Sequence, residues 1–289
     1  MPTAIAGHSV LAMTTAPRLQ PSDIAPRHVL WNVDGAVATI TLNRPERLNA
    51  VNQRMKEDLR ECWQRVKDDP DVWVAIITGA GRAFSSGADV EVLDSGGFTK
   101  IDRWRELCMH EGVRLLPTPR RMHVHKPVIA AVNGVAAGVS LDQVTESDIP
   151  IASDKAYFTD PHVSIGYVSS HEMVNMARRV PVAVCLRMAL LGSQERMSAQ
   201  RAYEVGLVTE VVPHDQLMAR ARELAEALCK NAPLAVWGTK RGILQGLGLP
   251  IAQAEEIAAG YLEVNEQTED FLEGPRSFVE KRKPAWKGR

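Results

Sequence analysis

No apolar run in this 289-residue chain comes near the roughly 20 residues that a membrane-spanning helix requires. The amino terminus lacks the basic start, long apolar centre and small-residue cleavage pattern of a secretory leader, which sets the expectation of a cytoplasmic location. Cysteine is scarce and scattered. Cys62, Cys108, Cys185 and Cys229 form no Cys-x-x-Cys pair, so reduced thiols are expected. An excess of either charge is lacking too: 34 basic and 35 acidic residues leave a formal charge of −1, with the signs interspersed. That balance argues against nucleic acid or an anionic membrane as the main partner. His123-x-His125 has no identifiable third ligand, so no metal is expected there.

What is present is enough chain for one large or two ordinary domains with a sizeable core. Residues 1–26 mix Ala, Thr, Ser and Pro without periodicity and predict a loose extension. HVLWNV (28–33) and AVATITL (36–42) flank Asp34-Gly35, a hairpin signal. Asn49 precedes a helix running to about Lys67, with Met55, Leu59, Cys62, Trp63 and Val66 at helical spacing. Strands are predicted at 72–79, 127–132 and 149–152, with helices over 100–116 and from Gly138. Strands alternating with helices indicate an α/β core with parallel pairing. Past residue 180 the pattern turns helical, at 182–191, 198–204, 215–230, 232–243, 250–266 and 268–282.

Two segments carry the chemistry. GRAFSSGADVEVL (81–93) and KPVIAAVNGVAAGVSLD (126–142) each contain, or directly follow, a buried-looking strand, and each makes a turn of small residues. Such turns leave peptide N–H groups uncovered, so a ligand can approach the backbone. Two turns aimed at one point offer two donors for one oxygen, which is an oxyanion hole. That device serves reactions that build negative charge on a carbonyl.

With ITLNRPERLNAV (40–51), AYEVGLVTEVV (202–212) and EDFLEGPRSFVEKRKPAWKG (269–288), these motifs resemble the enoyl-CoA hydratase/isomerase (crotonase) superfamily. The likeness runs from about His28 to the end. It implies an α/β crotonase (ClpP-like) spiral of strand-strand-helix units, with an acyl-CoA-binding core over 27–212. It also implies a C-terminal helical region at 213–289 that assembles the chain into a homotrimer or dimer of trimers. An acyl-CoA substrate is implied, with coenzyme A as part of the substrate and no separate cofactor.

The resemblance assigns the oxyanion donors to the N–H groups of Ala88 and Val139. The family's usual Gly-Gly-Gly reads Gly138-Val139-Ser140 here, and the branched Val139 narrows the thioester slot or demands an altered local conformation. The acid–base pair falls on Asp142 and His162, where hydratases of the family carry two glutamates. Histidine serves as acid or base near neutral pH. Coenzyme A binding falls on Arg47, Ser86, Ala88, Asp89 and Val90, with Phe278 and Lys281 reaching in from the C-terminal helix. Ser169-Ser170-His171-Glu172 forms no hydrolytic triad, since neighbours on a turn do not face each other; a serine cap for the next helix is expected. Ser170 stands near the nucleophilic aspartate of the dehalogenase branch, which argues against that chemistry. Three readings follow: an enoyl-CoA hydratase-like enzyme; an isomerase, C–C bond hydrolase or ring-cleaving relative; or a non-catalytic acyl-CoA binder.

Overall fold

The computed structural model describes residues 27–89 and 116–289. The extension at 1–26, Val90, and all but the last residue of the helix expected over 100–116 lie outside the described residues. The opening strands β1 (Val29–Asp34) and β2 (Val37–Leu42) pair antiparallel, with Asp34 opposite Val37. The two turn residues are therefore Gly35-Ala36, one step beyond the expected Asp34-Gly35. Gly35 takes φ +58°, a left-handed conformation that glycine adopts without steric cost.

β3 (Val74–Gly79), β5 (Val128–Val132), β7 (Ile149–Ser153) and β10 (Glu210–Val212) extend this hairpin in parallel, giving the order β1-β2-β3-β5-β7-β10. Their near-continuous Val, Ile and Ala follow from burial on both faces. Ala75, Ile77, Val128 and Ala130 pack into the main core, while Val74, Ile76, Ile129 and Ala131 face α6 (Leu217–Cys229) through Leu217, Ala221 and Ala225.

A second sheet was not legible as separate strands. It runs β4 (Ala83–Ser85), β6 (Val135–Ala137), β8 (Tyr157–Thr159) and β9 (Met197–Ser198), in that order. β4, β6 and β8 are parallel, and each follows directly on a strand of the large sheet. Strands this short carry too few residues for alternation to show. After β6 the chain makes one 3-10 turn, Gly138–Ser140, before α2 (Leu141–Thr145). After β8 a 3-10 turn at His162–Ile165 leads to α3 (His171–Met176) and α4 (Val182–Leu191).

Asn49 does not cap the first helix. The cap of α1 (Gln53–Asp68) is Asn52, whose side chain accepts from the Met55 N–H at 2.9 Å. Asn49 instead sits fully buried at φ +56° and ties three segments together. Its Nδ2 donates to the carbonyls of Ala80 (2.9 Å) and Ala83 (2.8 Å), and its Oδ1 accepts from the Arg44 N–H at 2.8 Å.

Beyond α5 (Ala199–Glu204) and β10, α7 (Pro233–Gly246) and α8 (Ile251–Asn265) form a hairpin. Gly242 lies against Ala258, and a Cβ added to Gly246 would stand 2.9 Å from the Ala254 Cβ. Ala254 and Ala258 of α8 therefore meet α7, while Ile251 and Leu262, on the same helix, stay 74% and 55% exposed. Lys240 of α7 reaches Asp148 at 2.7 Å, and Asp148 accepts the Val128 N–H at 2.8 Å. α9 (Glu269–Val279) closes the chain, with Asp270 accepting the N–H groups of Lys287 and Gly288.

Asn49→Ala removes three hydrogen bonds in a buried site and leaves the Ala80 carbonyl and the Arg44 N–H without this partner, so it should cost about 2–4 kcal/mol. A fall in the urea midpoint at constant slope is the expected reading; an unchanged midpoint would show that Asn49 does not hold these segments.

Candidate active site

Parallel pairing of β4, β6 and β8 brings their carboxyl ends side by side, and each end releases one piece of the candidate site. The turn after β4 carries Ser86, Gly87, Ala88 and Asp89; the turn after β6 carries Gly138 and Val139; the turn after β8 carries Asp160 and His162.

The first two turns touch through their backbones. Gly87, at φ +93°, lies so close to the second turn that a Cβ there would stand 2.8 Å from the Ala137 carbonyl oxygen. Ser140 joins them, its hydroxyl lying 3.1 Å from the Ser85 carbonyl and accepting the Ala137 N–H at 2.9 Å. The Ser85 hydroxyl in turn donates to the Asn49 carbonyl. Around Ala88 the chain bridges to Val51 through the Gly87 carbonyl and the Asp89 N–H. Among the described residues, neither the Ala88 N–H nor the Val139 N–H has an acceptor.

The altered conformation weighed for Val139 does not arise at Val139 itself. Positive φ falls on Gly138, at +51°, where glycine stands, and the Val139 side chain packs against the main core.

His162 lies on the open face of Gly138. A Cβ at Gly138 would meet the imidazole Cε1 at 3.3 Å and Nε2 at 3.8 Å. Its Nδ1 makes a short hydrogen bond with Asp160 Oδ1, and the Ser169 hydroxyl donates to Asp160 Oδ2. Ser169 thus holds Asp160 rather than capping α3, and Ser170 occupies the cap position without a side-chain bond. Burial alone would raise the Asp160 pKa, but the bonds from His162 and Ser169 outweigh it and hold the carboxyl below its ordinary range. The same bond to Asp160 raises the imidazole above its ordinary 6.5, against the opposing effect of burial; Glu172 and Asp142 add to the rise. Nε2 has no hydrogen-bond partner among the described residues.

Asp142 lies one turn past Gly138 on α2, 2% exposed, as the spacing predicts. Both of its oxygens are engaged: Arg121 Nη2 sits 2.8 Å from Oδ2, and Asn175 Nδ2 donates to Oδ1 at 3.0 Å. Glu146, one turn on, is held by the same Asn175 at 3.0 Å, by the Thr118 hydroxyl, and by Arg121 at 3.4 Å. Burial pushes the Glu146 carboxyl up, with Arg121 opposing. Glu172, on the first turn of α3, is 5% exposed; its Oε2 accepts the Ser170 N–H at 3.2 Å. Burial raises its pKa, Asp142 adds to the rise, and His162 opposes it.

The residues expected to hold coenzyme A divide. Ser86 and Ala88 lie on the first turn, and Ser86 N–H donates to the Leu48 carbonyl. Asp89 forms an ion pair with Arg44 at 2.7 Å. Arg47 is exposed at the end of the Pro45–Arg47 turn. Val90 falls outside the described residues. Phe278, 85% exposed, and Lys281, at φ +52°, stand at the far end of α9, with no hydrogen bond or ion pair to the turn among the described residues. No group of three acidic, histidine or cysteine residues gathers to hold a metal ion among the described residues. Asp160 went unassigned in the sequence, although a carboxylate two residues ahead of a histidine across a proline turn was a visible signal. Arg121 and Asn175 gave none.

The family model for enoyl-CoA hydratase/isomerase matches residues 32–289. The chain is 35% identical to (E)-benzylidenesuccinyl-CoA hydratase of Thauera aromatica, over 90% of this chain and 99% of that protein. It is 34% identical to carnitinyl-CoA dehydratase of Escherichia coli strain K12, covering 89% and 97%. Among solved structures, an enoyl-CoA hydratase/isomerase from Mycobacterium paratuberculosis superposes with a TM-score of 0.82 at 47% identity, covering 91% and 98%. An enoyl-CoA hydratase from Bacillus anthracis gives 0.81 at 28% identity, covering 91% and 100%.

Asp160→Asn removes the charge that favours the imidazolium and leaves a neutral amide acceptor, so burial then opposes only the weaker pull of Glu172 and Asp142. In an NMR titration of the imidazole C–H signals, His162 should titrate lower in the variant than in the parent, where it lies above 6.5. A His162 titration that does not change would remove Asp160 from this role.

Proposed function

The chain belongs to the enoyl-CoA hydratase/isomerase family, and we propose that it adds water across the double bond of an enoyl thioester of coenzyme A. The observation that carries this reading is the meeting of two small-residue turns at Gly87 and Ala137, with the His162 ring seated on Gly138. The names of two similar proteins, a hydratase and a dehydratase of acyl-CoA compounds, favour hydration over isomerisation or C–C cleavage.

In the proposed reaction the thioester oxygen lies between the N–H groups of Ala88 and Val139. Hydration sends an electron pair onto that oxygen, and donors fixed beforehand stabilise the enolate without reorganising. One such donor is typically worth about 3–4 kcal/mol in the transition state. His162, its Nδ1 anchored by Asp160, presents Nε2 as the acid that protonates the α carbon. Asp142 contributes a negative charge fixed by Arg121 and Asn175, which favours the imidazolium form of His162. Coenzyme A enters as part of the substrate, and Ser86, Ala88, Arg47, Phe278 and Lys281 are proposed to bind it; Asp89 serves by holding Arg44 beside the turn.

The exposed apolar residues of α8 support assembly into a closed trimer or dimer of trimers. Light scattering should give a particle of at least three chains; a stable monomer at micromolar concentration would refute the assembly.

Turnover is followed by loss of the conjugated enoyl-thioester absorbance, with crotonyl-CoA and aryl-substituted enoyl-CoA substrates. Since His162 works as the protonated form and its pKa is raised, activity should persist above pH 6.5 and fall only as pH rises through the raised value. His162→Gln should lower kcat by about 10²–10⁴-fold with thioester binding nearly unchanged. Parental turnover by that variant would make the histidine a bystander. Binding of acyl-CoA thioesters without turnover of any would instead favour a non-catalytic binder.

A further inference from the structure

Hydration needs two proton transfers, and His162 supplies only the one at carbon. The proton of the attacking water also needs an acceptor. Four carboxyl groups surround the junction of the turns: Asp142, Glu146, Asp160 and Glu172. Asp142 has one oxygen on Arg121 and the other on Asn175. Glu146 has one on Thr118 and the other on Asn175 and Arg121. Asp160 has one on His162 and the other on Ser169. Glu172 differs. Its carboxyl is held only by backbone N–H groups, that of Ser170 on Oε2 and its own, and no side-chain donor or cation reaches either oxygen among the described residues, although the residue is only 5% exposed.

Its placement suits the task. α3 packs against both the Gly138–Ser140 turn and α2, so the helix that carries Glu172 borders the second oxyanion donor. Asn175, one turn further along α3, reaches Asp142 and Glu146 from the same side. The carboxyl lies within charge–charge range of His162, Asp142 and Asp160, while the neighbouring His171 is exposed to solvent. A buried carboxylate without a side-chain donor or paired cation, and with two anions nearby, is a stronger base than a solvated one.

We propose that Glu172 is the second catalytic residue, the base that takes a proton from the attacking water while His162 delivers its proton to the α carbon. The assignment rests on the hydratase reading above. One O–H bond of water breaks and its proton passes to the Glu172 carboxylate as the oxygen bonds to the β carbon. The π pair moves to the thioester oxygen. The carbonyl then re-forms as the α carbon takes the proton from His162 Nε2. Glu172 afterwards returns its proton, and His162 regains one, through solvent. Asp142 exchanges no proton and acts as a positioning residue.

The test is steady-state hydration of crotonyl-CoA, or of whichever enoyl-CoA the parent turns over, across pH 4.5–9.5 (about the range that spans both ordinary values) with the full-length protein. The parent should give a bell: a rising limb as Glu172 ionises, above the ordinary 4.5, and a falling limb as His162 loses its proton, above 6.5. Glu172→Gln should lower kcat by about 10²–10⁴-fold, change KM little and abolish the rising limb alone. His162→Gln should abolish the falling limb alone. Glu172→Asp, which keeps a carboxylate one methylene shorter, should recover part of kcat and retain the rising limb. That partial recovery separates lost chemistry from a damaged fold, which circular dichroism and crotonyl-CoA calorimetry also monitor. Parental kcat and an intact rising limb in Glu172→Gln, with His162→Gln slow, would overturn the role of Glu172 and leave the hydratase reading standing. No turnover of any enoyl-CoA by the parent would overturn both.

Discussion

Parallel register among three very short strands is the constraint on which the rest of the site depends. Val135 pairs with Tyr157 and with Ala83, so the chain leaves β4, β6 and β8 at nearly the same level. The backbone of two of those exits and an imidazole from the third then come together without any long-range side-chain reach. The large sheet fixes where these strands start, because β3, β5 and β7 are parallel neighbours and each runs directly into its short partner. Hydrophobic burial on both faces of the large sheet thereby sets the position of polar atoms it never contacts.

The charges around the site are arranged in two groups. Arg121 and Asn175 hold Asp142 and Glu146 on the α2 side, so buried carboxylates are compensated where they stand. On the other side Asp160 anchors His162 and is itself restrained by Ser169. The first group gives a fixed field, whereas the second presents an oriented nitrogen. That division matters because a group already satisfied by hydrogen bonds resists changing its protonation state, and an oriented but unpartnered one does not.

Much of this was legible in the residues, for reasons that can be named. The Val- and Ile-rich strands, the α1 stripe from Met55 to Val66 and the helices after residue 180 carry periodicities several residues long. The small-residue turns around Ala88 and Val139 were visible as local patterns, and the family resemblance pointed to Asp142 and His162. What escaped notice depends on contacts distant in sequence. Arg121 and Asn175 stand 21 and 33 positions from Asp142; Asn175 reaches it because α3 packs on α2, and Arg121 reaches it from the turn ahead of β5. Asn49 was seen only as the residue ahead of a helix; that it ties three segments together, while Asn52 makes the cap, depends on contacts more than 30 positions away. The three-residue strands β4 and β6 are too short for alternation to separate them from loops.

The contact between His162 and Gly138 also bears on how this chain can diverge. The imidazole occupies the space over a backbone atom that has no side chain, and the same glycine holds a left-handed φ. Positions 138 and 162 are therefore not independent variables. A methyl group at 138 would stand 3.3 Å from the ring on a backbone already left-handed, so the imidazole would have to give by a few tenths of an ångström. Any change at 138 is therefore felt at 162 as a shift of the oriented nitrogen. The second turn admits a branched residue at 139, whose side chain turns to the core, while a side chain at the preceding position strains the backbone and crowds the ring.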